Sequence, residues 1–191
     1  MIFASIRATA LFVGLCCIVY PAVVTAIAQV AFHDAANGSL VVGPDGAVVG
    51  SALIGQGFTS AGYLQGRPSA AGAGYDAAAS SGSNLGVTSQ KLADRRAADE
   101  ARLRAENPAA AGPVPELLLT ASASGLDPDL TPEAARWQLP RIASARGVEV
   151  SRVQALLEES IEGRDLGFLG EPRVNVLMFN LALDRRLPSS R

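Results

Sequence analysis

An excess of charge of either sign, a second histidine and separated cysteines are all missing from this 191-residue chain. Sixteen basic residues against eighteen acidic ones leave a formal charge of −2, which excludes a polybasic nucleic-acid coat and a disordered acidic tail. The two cysteines, Cys16 and Cys17, are adjacent, so they cannot make an ordinary structural bridge and no disulfide framework supports the fold. Both read as small apolar side chains, and Leu15 stands before Cys16 where a lipoprotein site wants a small residue. His33 has no second histidine or cysteine to complete a metal site or triad and reads as an interfacial polar residue. Lys91 is the only lysine and no GxxxxGK[ST] loop occurs. Gly72-Ala73-Gly74-Tyr75-Asp76-Ala77 matches the G-x-G-x-x-A fingerprint in letters, but without a strand before it or a helix after it the match reads as a Gly/Ala-rich loop. No catalytic constellation, metal cluster or cofactor cradle emerges.

What is present is apolar length. Hydrophobic residues make up 49% of the chain, and Ala8 to Phe32 contains no formal charge. Twenty-five residues of helix rise about 37 Å against a hydrocarbon core of roughly 30 Å, so residues 8–32 are expected to form a transmembrane helix that Pro21 bends or in which it opens one hydrogen bond. Ala26-Ile27-Ala28 has the form of a signal-peptide cleavage site, so a secreted or anchored binding module is the alternative; the run stays apolar through Phe32, which favours a retained span. Arg7 lies on the near side of the run, and residues 33–66 hold Asp34 and Asp45 but no Lys or Arg. Basic flanks stay inside, so residues 1–7 are expected in the cytoplasm and residues 33–191 on the periplasmic side.

Within 33–191 two halves differ. Residues 33–88 carry four formal charges and twelve of the nineteen glycines, and residues 89–191 carry twenty-nine charges. Ser39 to Val42 and Ala47 to Ile54, joined by Gly43-Pro44-Asp45-Gly46, predict a β-hairpin. Gly55 to Val87 reads as ordered loop, with Phe58, Tyr63 and Tyr75 as anchors. Ser89 to Glu106 predicts a helix stopped by Asn107-Pro108. Pro115 to Thr120 reads as a short buried strand. Thr131-Pro132-Glu133 starts a helix that Pro140 is expected to interrupt, and Gly147 ends the next segment. Ser151 to Gln154 fits a capping box, after which Val153, Leu156, Leu157 and Ile161 share a face. Arg173 to Leu183 reads as a strand running into a helix, and periodicity does not decide where. The expected class is mixed α and β (α/β) outside the membrane, after one N-terminal span.

Two local patterns invite chemistry. Asp127-Pro128-Asp129 brings two carboxylates together, for a cation or for a turn ahead of the Thr131 helix, and the turn is preferred. Pro140 to Leu157 resembles a helix-turn-helix, but Glu158, Glu159 and Glu162 on its second helix repel phosphates, so no nucleic-acid partner is expected and a membrane-anchored regulator is the weaker reading. A lone span cannot conduct an ion, which leaves an anchored accessory module in contact with larger membrane partners and the bilayer.

The loops then add a likeness. Asn37-Gly38-Ser39-Leu40, Gly50-Ser51-Ala52-Leu53-Ile54-Gly55-Gln56, Gly66-Arg67-Pro68-Ser69 and Gly82-Ser83-Asn84-Leu85 follow the single span in this order. Thr120-Ala121-Ser122-Ala123-Ser124-Gly125-Leu126-Asp127-Pro128, Gln138-Leu139-Pro140-Arg141, Gly170-Glu171-Pro172-Arg173-Val174-Asn175-Val176 and Asn180-Leu181-Ala182-Leu183-Asp184 come after them. Over essentially its whole length the chain resembles the C subunit (KdpC family) of the Kdp potassium-transporting P-type ATPase. The resemblance implies a retained span in a bacterial inner membrane and two partners, a channel-like K⁺-selecting subunit and a P-type ATP-hydrolysing subunit. It implies a non-catalytic role in assembly and as a catalytic chaperone raising nucleotide affinity, with ATP reached through the complex.

Departures from the family pattern are local. Val148 to Arg152 stands at the family's nucleotide signature without its glutamine; His33, Ala35 and Leu117 replace the usual proline, glutamine and acid. Because the flanking charges place the domain away from cytoplasmic ATP, any effect on ATP affinity is expected to pass through partner helices. The candidate partner-contact or loop-shaping residues are Gly50, Ser51, Gly55, Gln56, Arg67, Pro68, Ser83, Asn84, Ser122, Ser124, Gly125 and Asp127.

Overall fold

A computed structural model describes residues 2–188. The chain divides into two compact units, Met1–Ser51 and Ala52–Arg191.

The first unit opens with an apolar helix, Ile2–Ala31, long enough to cross a membrane. It comprises α1 (Ile2–Val13), a π-helical stretch (Gly14–Val19) and α2 (Tyr20–Ala31), with no buried residue in any of them. The widened turn sits where the sequence demands it: Pro21 has no N–H to give the preceding turn, and a π-bulge re-routes the ladder around the defect. After a four-residue turn, α3 (His33–Ala36), strands β1 (Leu40–Val42) and β2 (Val48–Ser51) pair antiparallel with a bulge between Val41 and Val42. This is the expected hairpin, shorter at its end, and it clusters with the apolar helix rather than with the residues after Ala52.

The second unit is built on helices α4 (Gln90–Glu106), α5 (Pro132–Arg146), α6 (Val150–Glu159) and α7 (Val176–Arg186), with two-residue strands β3 (Asp129–Leu130) and β4 (Val174–Asn175) paired antiparallel. Thr131 caps α5 by accepting from Ala134 N–H at 3.3 Å, with Pro132 in the first turn. Gly147 ends α5 at φ 65°, and Val148 N–H closes back on Ala143 C=O at 3.0 Å. Asn175 caps α7 at Met178 N–H, which decides the Arg173 to Leu183 segment: two residues of strand, then helix. The core gathers Leu64, Leu103, Leu118, Leu130, Trp137, Ile142, Val153, Leu157, Val174, Phe179 and Leu183.

Three local expectations are corrected. Pro115 to Thr120 is not a strand but a 3₁₀ turn over Glu116–Leu118, because Pro113 and Pro115 remove two donors that a ladder would need. Pro140 does not break α5, which runs unbroken to Arg146; buried Trp137, Leu139, Ile142 and Ala143 on either side hold it against a penalty of about 3 kcal/mol. The Ser151 box does not form, since α6 begins at Val150 with Glu149 in the cap position and no side-chain cap bond.

Candidate functional site

Residues 52–89 hold one 3₁₀ turn, Ala77–Ala79, and no longer helix or strand, yet their path is fixed. Buried side chains of α5 and α7 pair with this backbone much as a neighbouring strand would. Gln138 accepts from Gln65 N–H at 3.0 Å and donates to Gln65 C=O at 2.9 Å. Asn180 does the same at Leu64, over 2.8 and 2.9 Å. Arg141 donates to the carbonyls of Ala61 at 2.7 Å and Tyr63 at 3.1 Å, and burial pulls its pKa below the ordinary value. Arg146, 2% exposed, donates to Gly62 C=O, Leu187 C=O and Asp184 and lies over the Tyr63 ring at 5.0 Å. A guanidinium that donates to several carbonyls and a carboxylate costs far less to bury than an unpaired one.

The expected aromatic anchors fall in the same network. Phe58 packs on the core and tilts against Tyr63 at 5.7 Å between centroids. The Tyr63 hydroxyl donates to Asp184 Oδ2 at 2.9 Å, which raises its pKa. The Tyr75 hydroxyl donates to Arg67 C=O at 2.5 Å, and burial raises its pKa.

Further along, the loop meets residues 120–129. Arg67 Nη1 donates to Asp127 Oδ2 at 2.7 Å, with weaker bonds to Thr120 and Ala121 carbonyls. Asp127 Oδ1 accepts from Asp129 N–H at 3.1 Å, so Asp127-Pro128-Asp129 is a side-chain-closed turn. Burial, then the neighbouring Asp127 charge, raises the Asp129 pKa. Ser69 donates to Gly125 C=O at 2.6 Å, and Gly55 N–H to Leu126 C=O at 2.8 Å. Gly125 combines φ 69° with a site where a Cβ would lie 2.6 Å from Ala71 N.

The sequence candidates therefore divide. Gly55, Arg67, Pro68, Ser122, Gly125 and Asp127 come together in this clamp and are buried or half-buried, as is Gln56. Ser83 is half-buried, while Asn84, at φ 50°, and Ser124 are exposed. Gly50 and Ser51 lie in β2, in the first unit, where Ser51 Oγ donates to Gly38 C=O at 2.7 Å. Gly72 to Ala77 forms a turn with Asp76 capping the 3₁₀ segment, not a phosphate loop.

A cleft of about 450 Å³ opens beside the clamp, lined by Phe58, Gln65, Arg67, Tyr75, Arg102 and Glu106. Its cations are already engaged, Arg67 by Asp127 and Arg102 by Glu106 and Asp99. Among the described residues no group of three or more His, Cys, Asp and Glu side chains is placed to hold a metal ion. The arrangement shapes a surface; it sets no nucleophile beside a base. Sequence reading quoted Gln138, Arg141 and Asn180 only as parts of motifs and did not name Arg146; that the four hold the 61–65 backbone was missed, although polar residues at helical spacing between core-forming Leu139, Ile142 and Phe179 were a signal.

A family model described as "KdpC: K⁺-transporting ATPase, c chain" matches residues 2–185. The chain is 65% identical over 169 residues to a "Potassium-transporting ATPase KdpC subunit" of Myxococcus xanthus, covering 88% of this chain and 80% of that one. It is 55% identical over 178 residues to the protein of the same description from Caulobacter vibrioides, covering 93% and 89%. A third such protein, from Nitratidesulfovibrio vulgaris, is 54% identical over 181 residues, covering 94% and 91%.

Proposed function

The chain belongs to the KdpC family, the c chain of K⁺-transporting ATPases, and from that premise we propose that it is the single-pass accessory subunit of such a pump in a bacterial inner membrane. The observation that carries the reading is the unburied apolar helix Ile2–Ala31 ahead of a folded unit, in a chain with this family match. Residues 1–7 lie in the cytoplasm, residues 8–32 span, and residues 33–191 face the periplasm; the support is Arg7 on one side of the span against no Lys or Arg in residues 33–66 on the other.

Its partners are a channel-like K⁺-selecting subunit and a P-type ATP-hydrolysing subunit. The subunit itself transfers no phosphoryl group. It supports assembly and acts as a catalytic chaperone, raising ATP affinity of the hydrolysing subunit through partner helices as a coupling free energy between separate sites. The exposed Asn84 and Ser124 touch a partner, and the clamp beneath them holds their loops in register.

Two measurements on the full chain test this. The chain, tagged and solubilised from the membrane with an intact N-terminus, is expected to retain the other pump subunits; release from the membrane after cleavage behind Ala28 overturns the reading in favour of a secreted module. A cysteine introduced at Val87, 96% exposed, is expected to react with an impermeant thiol reagent in intact spheroplasts. Reaction only after lysis overturns the topology.

A further inference from the structure

Between Glu162 and Arg173 the second unit projects an arm that no sequence motif marked as a contact. Glu162 and Arg173 exchange backbone hydrogen bonds at 2.8 and 3.0 Å, and nearer the tip Asp165 and Leu169 exchange two at 2.9 Å. Phe168 N–H closes the turn on Asp165 C=O, with Leu166 at φ 54° and Gly167 at φ 82° between them. Positive φ at both central residues suits a tight hairpin, but asparagine, aspartate or glycine meets it without strain and leucine does not. Leu166 is 82% exposed, Phe168 68% and Leu169 49%. The folded unit thus holds a large apolar side chain in an unfavourable backbone conformation without burying it.

The base of the arm says what the tip is suited to meet. Arg164 pairs with Glu171 at 2.7 Å, and Arg173 reaches Glu162 at 3.0 Å and both Asp129 and Asp165 at 3.6 Å. Every cation of the arm is thereby engaged, and its carboxylates outnumber its arginines. An anionic lipid surface is repelled by that collar and finds both of its arginines already paired with carboxylates. An apolar tip on a rim of self-paired charge is the anatomy of a protein–protein anchor, a buried centre inside a polar ring.

We infer that the tip formed by Leu166 and Phe168 is a docking plug that seats in an apolar pocket on a partner subunit of the K⁺-transporting ATPase. The inference rests on the accessory-subunit reading and adds to it the residues that make one contact. Leu166→Gly combined with Phe168→Ser removes the plug while relieving the turn, so loss of folding does not imitate loss of contact. In the full complex, tagged and extracted in mild detergent, the variant is expected to retain at least tenfold less of the partner subunits than wild type does. Equal retention by the two overturns the plug, whereas failure of the wild-type chain to retain them overturns the accessory-subunit reading itself. A photo-crosslinking amino acid placed at Phe168 supplies the second measurement. Adducts with another pump subunit support the proposal; adducts with lipid only, with a second copy of this chain only, or none at all overturn it.

Discussion

Arg67 and Asp127, 60 residues apart, meet through a 2.7 Å ion pair with side chains 18% and 29% exposed. The pair binds the glycine-rich half of the chain to the segment that leads into α5. Being mostly shielded, it is worth more than a surface bridge, and Arg67 also serves two backbone carbonyls. Arg67→Ala is expected to destabilise the second unit by about 2 kcal/mol and Arg67→Lys by about 1 kcal/mol, since lysine keeps the charge but not the fork. Chemical denaturation of the purified chain in detergent reads both.

Gly125→Ala is expected to cost about 3 kcal/mol, from the left-handed backbone and from overlap with Ala71 N and Ser81 O at 2.6 and 2.7 Å. Gly86→Ala, in open space at an ordinary φ, should stay within about 0.5 kcal/mol of wild type. A similar loss at both positions in thermal melts would contradict the close approach at residue 125.

Asn180→Leu leaves Leu64 N–H and C=O buried without partners. The expected loss is about 3 kcal/mol. Hydrogen exchange at Leu64 should accelerate beyond the global loss if the amide side chain is what holds this loop.

Asp129 supplies a pH signature. Its folded pKa lies above 3.8, raised by burial and by Asp127 against the opposing pull of Arg173. Below pH 3.8 both folded and unfolded chains hold the proton. As pH rises from there, the unfolded chain releases it first, and the folded state loses stability until its own pKa is passed. Asp129→Asn has no such proton, so the stability of wild type relative to the variant should fall across that window. A difference that rises or stays flat in paired denaturation curves would contradict the assignment.

Much of the helical frame was legible because its signals are local. Asn107-Pro108, Thr131-Pro132-Glu133 and Gly147 mark ends by a missing donor, capping or a left-handed backbone, none of which depends on distant residues. The hairpin turn at Gly43 to Gly46 was readable for the same reason. Pro140 misled because its cost is local while the packing that outweighs it is not. Residues 52–89 stayed a loop of unknown course because Gln138, Arg141, Arg146 and Asn180 set it from far along the chain. Arg67 and Asp127 were singled out one by one, but nothing in linear order told that they join. Leu166 escaped notice because a leucine before glycine in a turn is ordinary until its φ is known.

The strands, two to four residues long, carry a consequence for biogenesis. Because side chains rather than a broad sheet organise the glycine-rich half, the described residues offer no extended edge on which another copy can template itself. During synthesis, strand-on-strand association between copies has only these short edges to work with among the described residues.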